Sequence, residues 1–185
     1  QGTDVFTQNY PTEVAAMNQY TTTYQSNNGT IYAMWSSYFN ALNNVNAAID
    51  RSKSVILKTD DPDGIEPSAL AQLVAEAKAL RAWYLFEIVR NWGQGPLKIN
   101  ESKEPSYTVE YSNGAAFYQQ IFTDLEEAIS VLPWRQMGSN YGRMSKAAAK
   151  HIRALAYLTR GYEEYADPKD FENAFKDAED VYLNS

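Results

Sequence analysis

The chain has 185 residues, 44% of them hydrophobic, and 16 basic against 23 acidic side chains leave a formal net charge of −7. That length suits one ordinary domain with its own core. The acidic balance, with no basic patch to offset it, excludes nucleic acid as the expected partner, and the absence of cysteine removes disulfides, thiolate metal sites and cysteine nucleophiles together. No apolar run approaches the ~20 residues of a membrane-spanning helix. Fourteen tyrosines stand beside seven phenylalanines and four tryptophans. Tyr and Trp join an apolar body to a polar handle, so part of this excess belongs at half-wet surfaces.

Residues 1–29 are polar, rich in Tyr, Thr, Asn and Gln, and weakly periodic; they read as an irregular segment with one short helix over Glu13 to Tyr20. From residue 30 to 185 helical periodicity takes over, and the fold class is all-α. Ile31, Met34, Trp35, Tyr38, Leu42, Val45 and Ile49 share one face of a helix of roughly 30–54, with Asn28 or Thr30 as its cap. Asp60-Asp61-Pro62-Asp63-Gly64 breaks that helix, and Pro67 sits where a first turn tolerates proline. A second helix, about 67–91, carries Leu70, Leu73, Ala77, Leu80, Tyr84 and Ile88, and Gly93, Gly95 and Pro96 end it. An extended connector over 92–112 leads to a third helix striped by Tyr118, Ile121, Phe122, Leu125, Ala128, Ile129 and Leu132, closed by Pro133. Ser145 caps a fourth helix with Ala148, His151, Ile152, Leu155, Leu158, Thr159 and Tyr162 on its stripe. A fifth starts at Asp167-Pro168 and turns Phe171, Ala174, Phe175, Ala178, Val181 and Tyr182 inward. The last two helices form an antiparallel pair like a degenerate tetratricopeptide hairpin. Trp35, Tyr38, Trp83, Tyr84 and Phe86 are expected in the core, and Arg81 and Arg143 in internal ion pairs with Glu76, Glu87 or Asp residues.

Three stretches together go further. The first is Trp35-Ser36-Ser37-Tyr38 running on to Asn46 and Ile49. The second runs Glu76-Ala77-Lys78-Ala79-Leu80-Arg81-Ala82 through Tyr84 to Trp92-Gly93 and Pro96-Leu97. The third is Gly142-Arg143-Met144-Ser145-Lys146-Ala147-Ala148. In order and spacing they resemble the SusD/RagB family of bacterial outer-membrane nutrient-binding lipoproteins, with Gln94-Gly95 in place of the family's usual Asp-Val before the proline. The resemblance implies a SusD-like helical scaffold with tetratricopeptide-like hairpins and long loops. Family members are several hundred residues long, with a signal peptide and a lipidated cysteine, so the chain is expected to be an N-terminal piece of such a protein. The implied function is capture of an oligosaccharide at the cell-surface face of the outer membrane of a Bacteroidetes-type bacterium, and its delivery to a SusC-like TonB-dependent transporter. Membrane attachment would come only through a lipid anchor outside this chain; no cofactor, metal or catalysed reaction is implied.

Glycan capture calls for aromatic faces to stack on sugar C–H surfaces and for amides and carboxylates to bond hydroxyls. The residues of that kind in the loops before the first helix are Asp4, Tyr20, Tyr24, Asn27 and Asn28, and in the loop after the third helix Trp134 and Tyr141. These seven are the expected ligand residues. The other reading of each is packing against a helix, strongest for Trp134, which directly follows a helix end. A scaffold binding a peptide or protein partner through a helical groove is the alternative function. Enzyme readings find little support. His151 stands alone on an apolar stripe, neighbouring pairs such as Glu126 and Glu127 point about 100° apart on a helix, and no nucleophile motif or phosphate loop occurs. The Asp60–Gly64 run fails the calcium-loop template, whose twelfth position would be Leu70.

Overall fold

The computed structural model describes residues 28–104 and 108–184. Among these residues are five α-helices and no strand: α1 (Gly29–Ser52), α2 (Pro67–Trp92), α3 (Gly114–Val131), α4 (Lys146–Arg160) and α5 (Asp170–Leu183), with a single 3-10 turn at Gly138–Asn140. The all-α class and the order of the helices from residue 29 on match the sequence reading; the short helix expected over Glu13 to Tyr20 lies outside the described residues. The chain divides into two units, residues 1–40 and 41–185, and the division falls inside α1.

In the first unit α1 starts at a side-chain cap. The Oδ1 of Asn28 accepts from the backbone N–H of Thr30 (3.0 Å) and of Ile31 (3.3 Å), which satisfies two of the donors a helix start leaves without a partner. One turn further on, the Trp35 and Phe39 rings lie 4.5 Å apart.

In the second unit α2, α3, α4 and α5 follow one another up and down. The α2–α3 pairing is antiparallel: Phe86 meets Tyr118, Arg81 meets Asp124, and Lys78 meets Glu127. Proline at its first turn, where the absent N–H costs nothing, starts α2. Gly93 ends it with φ at +73°, a left-handed conformation that glycine adopts without strain, and donates its N–H to the Val89 carbonyl at 2.8 Å. Asn113 and Ser145 cap α3 and α4 through their side-chain oxygens, the second as the sequence suggests. The core is Leu85, Phe86 and Ile88 of α2 against Phe117, Tyr118, Ile121 and Leu125 of α3, closed by Leu132, Ile152 and Ala156. Each large apolar side chain so buried contributes roughly 1.5–3 kcal/mol.

Within this core lies a polar knot. Arg81 and Asp124 are both buried and make a two-pronged ion pair at 2.6 and 2.8 Å. Arg81 also donates to the Ile99 carbonyl at 2.8 Å, Asn46 of α1 to the Lys98 and Asn100 carbonyls at 3.0 and 3.2 Å, and Gln120 to Asp124 at 3.1 Å. Asn43 exchanges hydrogen bonds with the backbone of Ser102, and Asp50 accepts from the Glu101 N–H at 2.8 Å. That N–H, then Lys53, holds the Asp50 carboxyl below its ordinary value. The polar face of α1 thus holds residues 98–102 as an extended ribbon, giving their backbone partners that no helix or sheet supplies.

Three sequence expectations are corrected. The stripe read as inward on α5 packs only in part: Ala174 is buried, but Phe171, Phe175 and Tyr182 are exposed, and Asp170 and Asp177 are buried in their place. The cause is charge. Arg153 grips Asp177 at 2.6 and 2.8 Å, Lys150 reaches Asp177 and Asp180, and Arg160 grips Asp170, so the helix turns its carboxylates toward α4. On α4, His151 and Leu158 are likewise exposed, as is Tyr162 just beyond its end, and Ala149, Ile152, Ala154 and Ala156 are buried. Of the five aromatics expected in the core, only Phe86 is fully buried; Trp35, Tyr38, Trp83 and Tyr84 are half-buried. The second half of α2 is buried on nearly every side by small and aliphatic residues, and rings as large as Trp seldom lose all their exposure.

Candidate functional site

Four of the seven expected ligand residues, Asp4, Tyr20, Tyr24 and Asn27, lie outside the described residues. Asn28 is buried and its side-chain oxygen is engaged by the start of α1. Trp134 and Tyr141 share one loop, the α3–α4 connection over 132–145.

That loop is held from beneath by buried polar chemistry. The carboxylate of Glu76 on α2 receives Arg143 Nε at 2.9 Å and Nη2 at 2.8 Å, together with the side-chain amides of Gln136 at 3.2 Å and Gln72 at 3.1 Å. Gln136, itself buried, also donates to the Met144 carbonyl at 2.9 Å. The ion pair expected between Arg143 and an acid such as Glu76 is present, with Glu76 buried and the arginine side chain 40% exposed. At the loop's start the Trp134 indole N–H donates to the Asn184 carbonyl at 2.8 Å, and Arg135 reaches the same oxygen at 3.1 Å. Trp134 is half-buried, and its donor is used to hold the end of α5.

Between these anchors the backbone rises into the 3-10 turn. Gly138 opens it and Gly142 follows it with φ at +61° and +89°, conformations that side-chain-bearing residues rarely adopt. The turn lifts Met137 and Tyr141 into solvent, Tyr141 to 84% exposure. A phenol ring presented this way offers two apolar faces and one hydroxyl, which suits stacking on a neutral polar ligand better than gripping an ion. Among the described residues no group of three or more His, Asp or Glu side chains converges as a metal site would require. Sequence reasoning found the two aromatics and missed the support beneath them. Gln136 reads as an ordinary loop amide until its contact with Glu76, sixty positions away, is seen.

A family model described as starch-binding, associating with the outer membrane, and SusD-like matches residues 2–162. A SusD-like protein of Bacteroides ovatus is 30% identical over 155 residues, covering 82% of this chain and 27% of the relative. Among solved structures, a SusD superfamily protein from Bacteroides vulgatus aligns over 96% of this chain and 35% of its own, with a TM-score of 0.76 and 20% identity. A structure solved with xylogluco-oligosaccharide aligns over 82% of this chain and 29% of its own, with a TM-score of 0.68 and 26% identity. The chain therefore spans about a quarter to a third of the length of the proteins it matches.

Proposed function

The chain belongs to the SusD-like family, and from that premise we propose that it is the helical part of a cell-surface lipoprotein that captures an oligosaccharide and hands it to a SusC-like TonB-dependent transporter. The family is one of binding proteins associated with the outer membrane. The observation that carries the glycan reading is the likeness to the structure solved with xylogluco-oligosaccharide, and the exposed Tyr141 on its braced turn supports it. In this reading Tyr141 stacks on a sugar face, and Trp134 backs the loop from the side of α5. Asp4, Tyr20, Tyr24 and Asn27 add aromatic and polar contacts from the segment before α1. In this reading the protein binds and releases its cargo without chemical change.

Affinity electrophoresis of the complete protein against a panel of neutral polysaccharides tests the proposal. Retardation by at least one glycan is the expected result. Free migration through every one of them would overturn it and leave a peptide or protein cargo as the better reading.

A further inference from the structure

The buried carboxylate of Glu76 is set apart by where its partners come from. Asp124, Asp170 and Asp177, buried as well, join helix to helix: the first takes Arg81 of α2, and the other two take Arg160 and Arg153 of α4. Glu76 takes Gln72 of its own helix, and then Gln136 and Arg143, which stand on either side of the 3-10 turn in the α3–α4 connection. That connection runs from 132 to 145, whereas bundled helices are usually joined by ~2–8 residues. Backbone bonds close its base: the Lys146 N–H donates to the Pro133 carbonyl at 2.8 Å and the Ala147 N–H to the Trp134 carbonyl at 3.3 Å. Above that base, residues 137–143 are all exposed. Burial therefore does not hold the turn, and its placement falls to the polar contacts at its two sides.

The geometry at Glu76 calls for two acceptor oxygens. Oε1 accepts from Gln72 at 3.1 Å and from Gln136 at 3.2 Å, and Oε2 accepts from Arg143 Nε at 2.9 Å and Nη2 at 2.8 Å. An amide of the same shape would set its NH2 group against the guanidinium or against the two amide donors, whichever way it faced. The Gln136 amide also donates to the Met144 carbonyl at 2.9 Å. The two ends of the segment that carries Tyr141 are thus tied to each other as well as to α2. Loop freedom removed before a ligand arrives is not lost again on binding, so such a foundation raises affinity.

We propose that Glu76 is a positioning residue for ligand capture: through Gln136 and Arg143 it presets the turn that presents Tyr141, and so strengthens binding without touching the ligand. The inference rests on the reading of Tyr141 as the residue that stacks on sugar. A double-mutant cycle in the complete protein tests it, by calorimetric titration with the neutral polysaccharide that affinity electrophoresis selects. Glu76→Gln keeps the size of the side chain and removes its second acceptor. Gln136→Met, a change confined to the loop, perturbs the same network and serves alone where Glu76→Gln lowers the melting temperature. With Tyr141 present, each substitution should raise Kd about fivefold; in the Tyr141→Ala background each should raise it less than about twofold, since nothing is left to position. A purely structural role would weaken binding by the same factor in both backgrounds, and that result overturns the inference. Wild-type affinity in both single variants overturns it too. Tyr141→Ala binding as tightly as the wild type would overturn the underlying reading of the loop, and this inference with it.

Discussion

At the scale of single residues, the Arg81–Asp124 pair is the most demanding feature of the fold. Both charges are withdrawn from water, and each offsets the other's desolvation only while both are present. Asp124→Ala is expected to cost about 3–5 kcal/mol, because it leaves the guanidinium buried without its counter-ion. Replacing both residues, as Arg81→Met with Asp124→Leu, should recover much of that loss. Chemical denaturation of the three variants measures both effects. Gly64 is a second exacting position: a Cβ there would lie 2.5 Å from the carbonyl carbon of Leu57, and the neighbour is backbone that cannot swing aside. Gly64→Ala should lower stability by about 1–3 kcal/mol, the usual range for overpacking, seen as a lower denaturation midpoint. An ion pair at Arg81 was legible in the sequence because an arginine in the middle of a largely apolar helix needs one. Which of many acids it takes was not, since Asp124 is 43 positions away and the register of two helices is set by packing rather than by local pattern.

Among the elements, α5 shows where periodicity misleads. The expected stripe, Phe171, Ala174, Phe175, Ala178, Val181 and Tyr182, and the docked face, centred on Asp170, Ala174 and Asp177, share Ala174 and part at the positions beside it. Hydrophobicity favours the phenylalanines, and the docked helix buries the two aspartates. The basic residues of α4 decide the matter, and their influence is invisible when α5 is read alone. This seam also responds to pH. Burial pushes the Asp177 carboxyl up, but hydrogen bonds from Arg153 and Lys150 outweigh it and hold the group below its ordinary 3.8. A carboxylate with a lowered folded-state pKa adds stability that is complete above the ordinary value and drains away as pH falls through the folded one. The α4–α5 hairpin is therefore expected to loosen on acidification below about pH 4, as the unfolded carboxylate begins to take up protons. Amide exchange in α5 should quicken there before it quickens in α2. Asp177→Asn should flatten that dependence. Helix starts were more legible than helix faces: Asn28, Pro67 and Ser145 act through local backbone chemistry and stand where the sequence put them.

For the molecule as a whole, family and fold were readable because three motif stretches fall on elements that set the scaffold: α1, α2 with its glycine exit, and the entry to α4. The candidate site was readable only in part. Tyr141 and Trp134 announce themselves as aromatics in a loop, yet their different duties depend on partners at Asn184 and Glu76 that no local pattern reveals. In the proposed reading Tyr141, exposed on a turn with a hydrogen-bonded foundation, is the side chain through which this part of the protein meets a sugar. Calorimetric titration of the complete protein and its Tyr141→Ala variant, with the glycan that retards it most strongly in the affinity gels, puts that claim to the test. An exposed tyrosine that carries binding should cost about tenfold in Kd, ~1.4 kcal/mol, on removal, with the melting temperature unchanged. Equal affinity in the two proteins would contradict the assignment of this loop to the binding face.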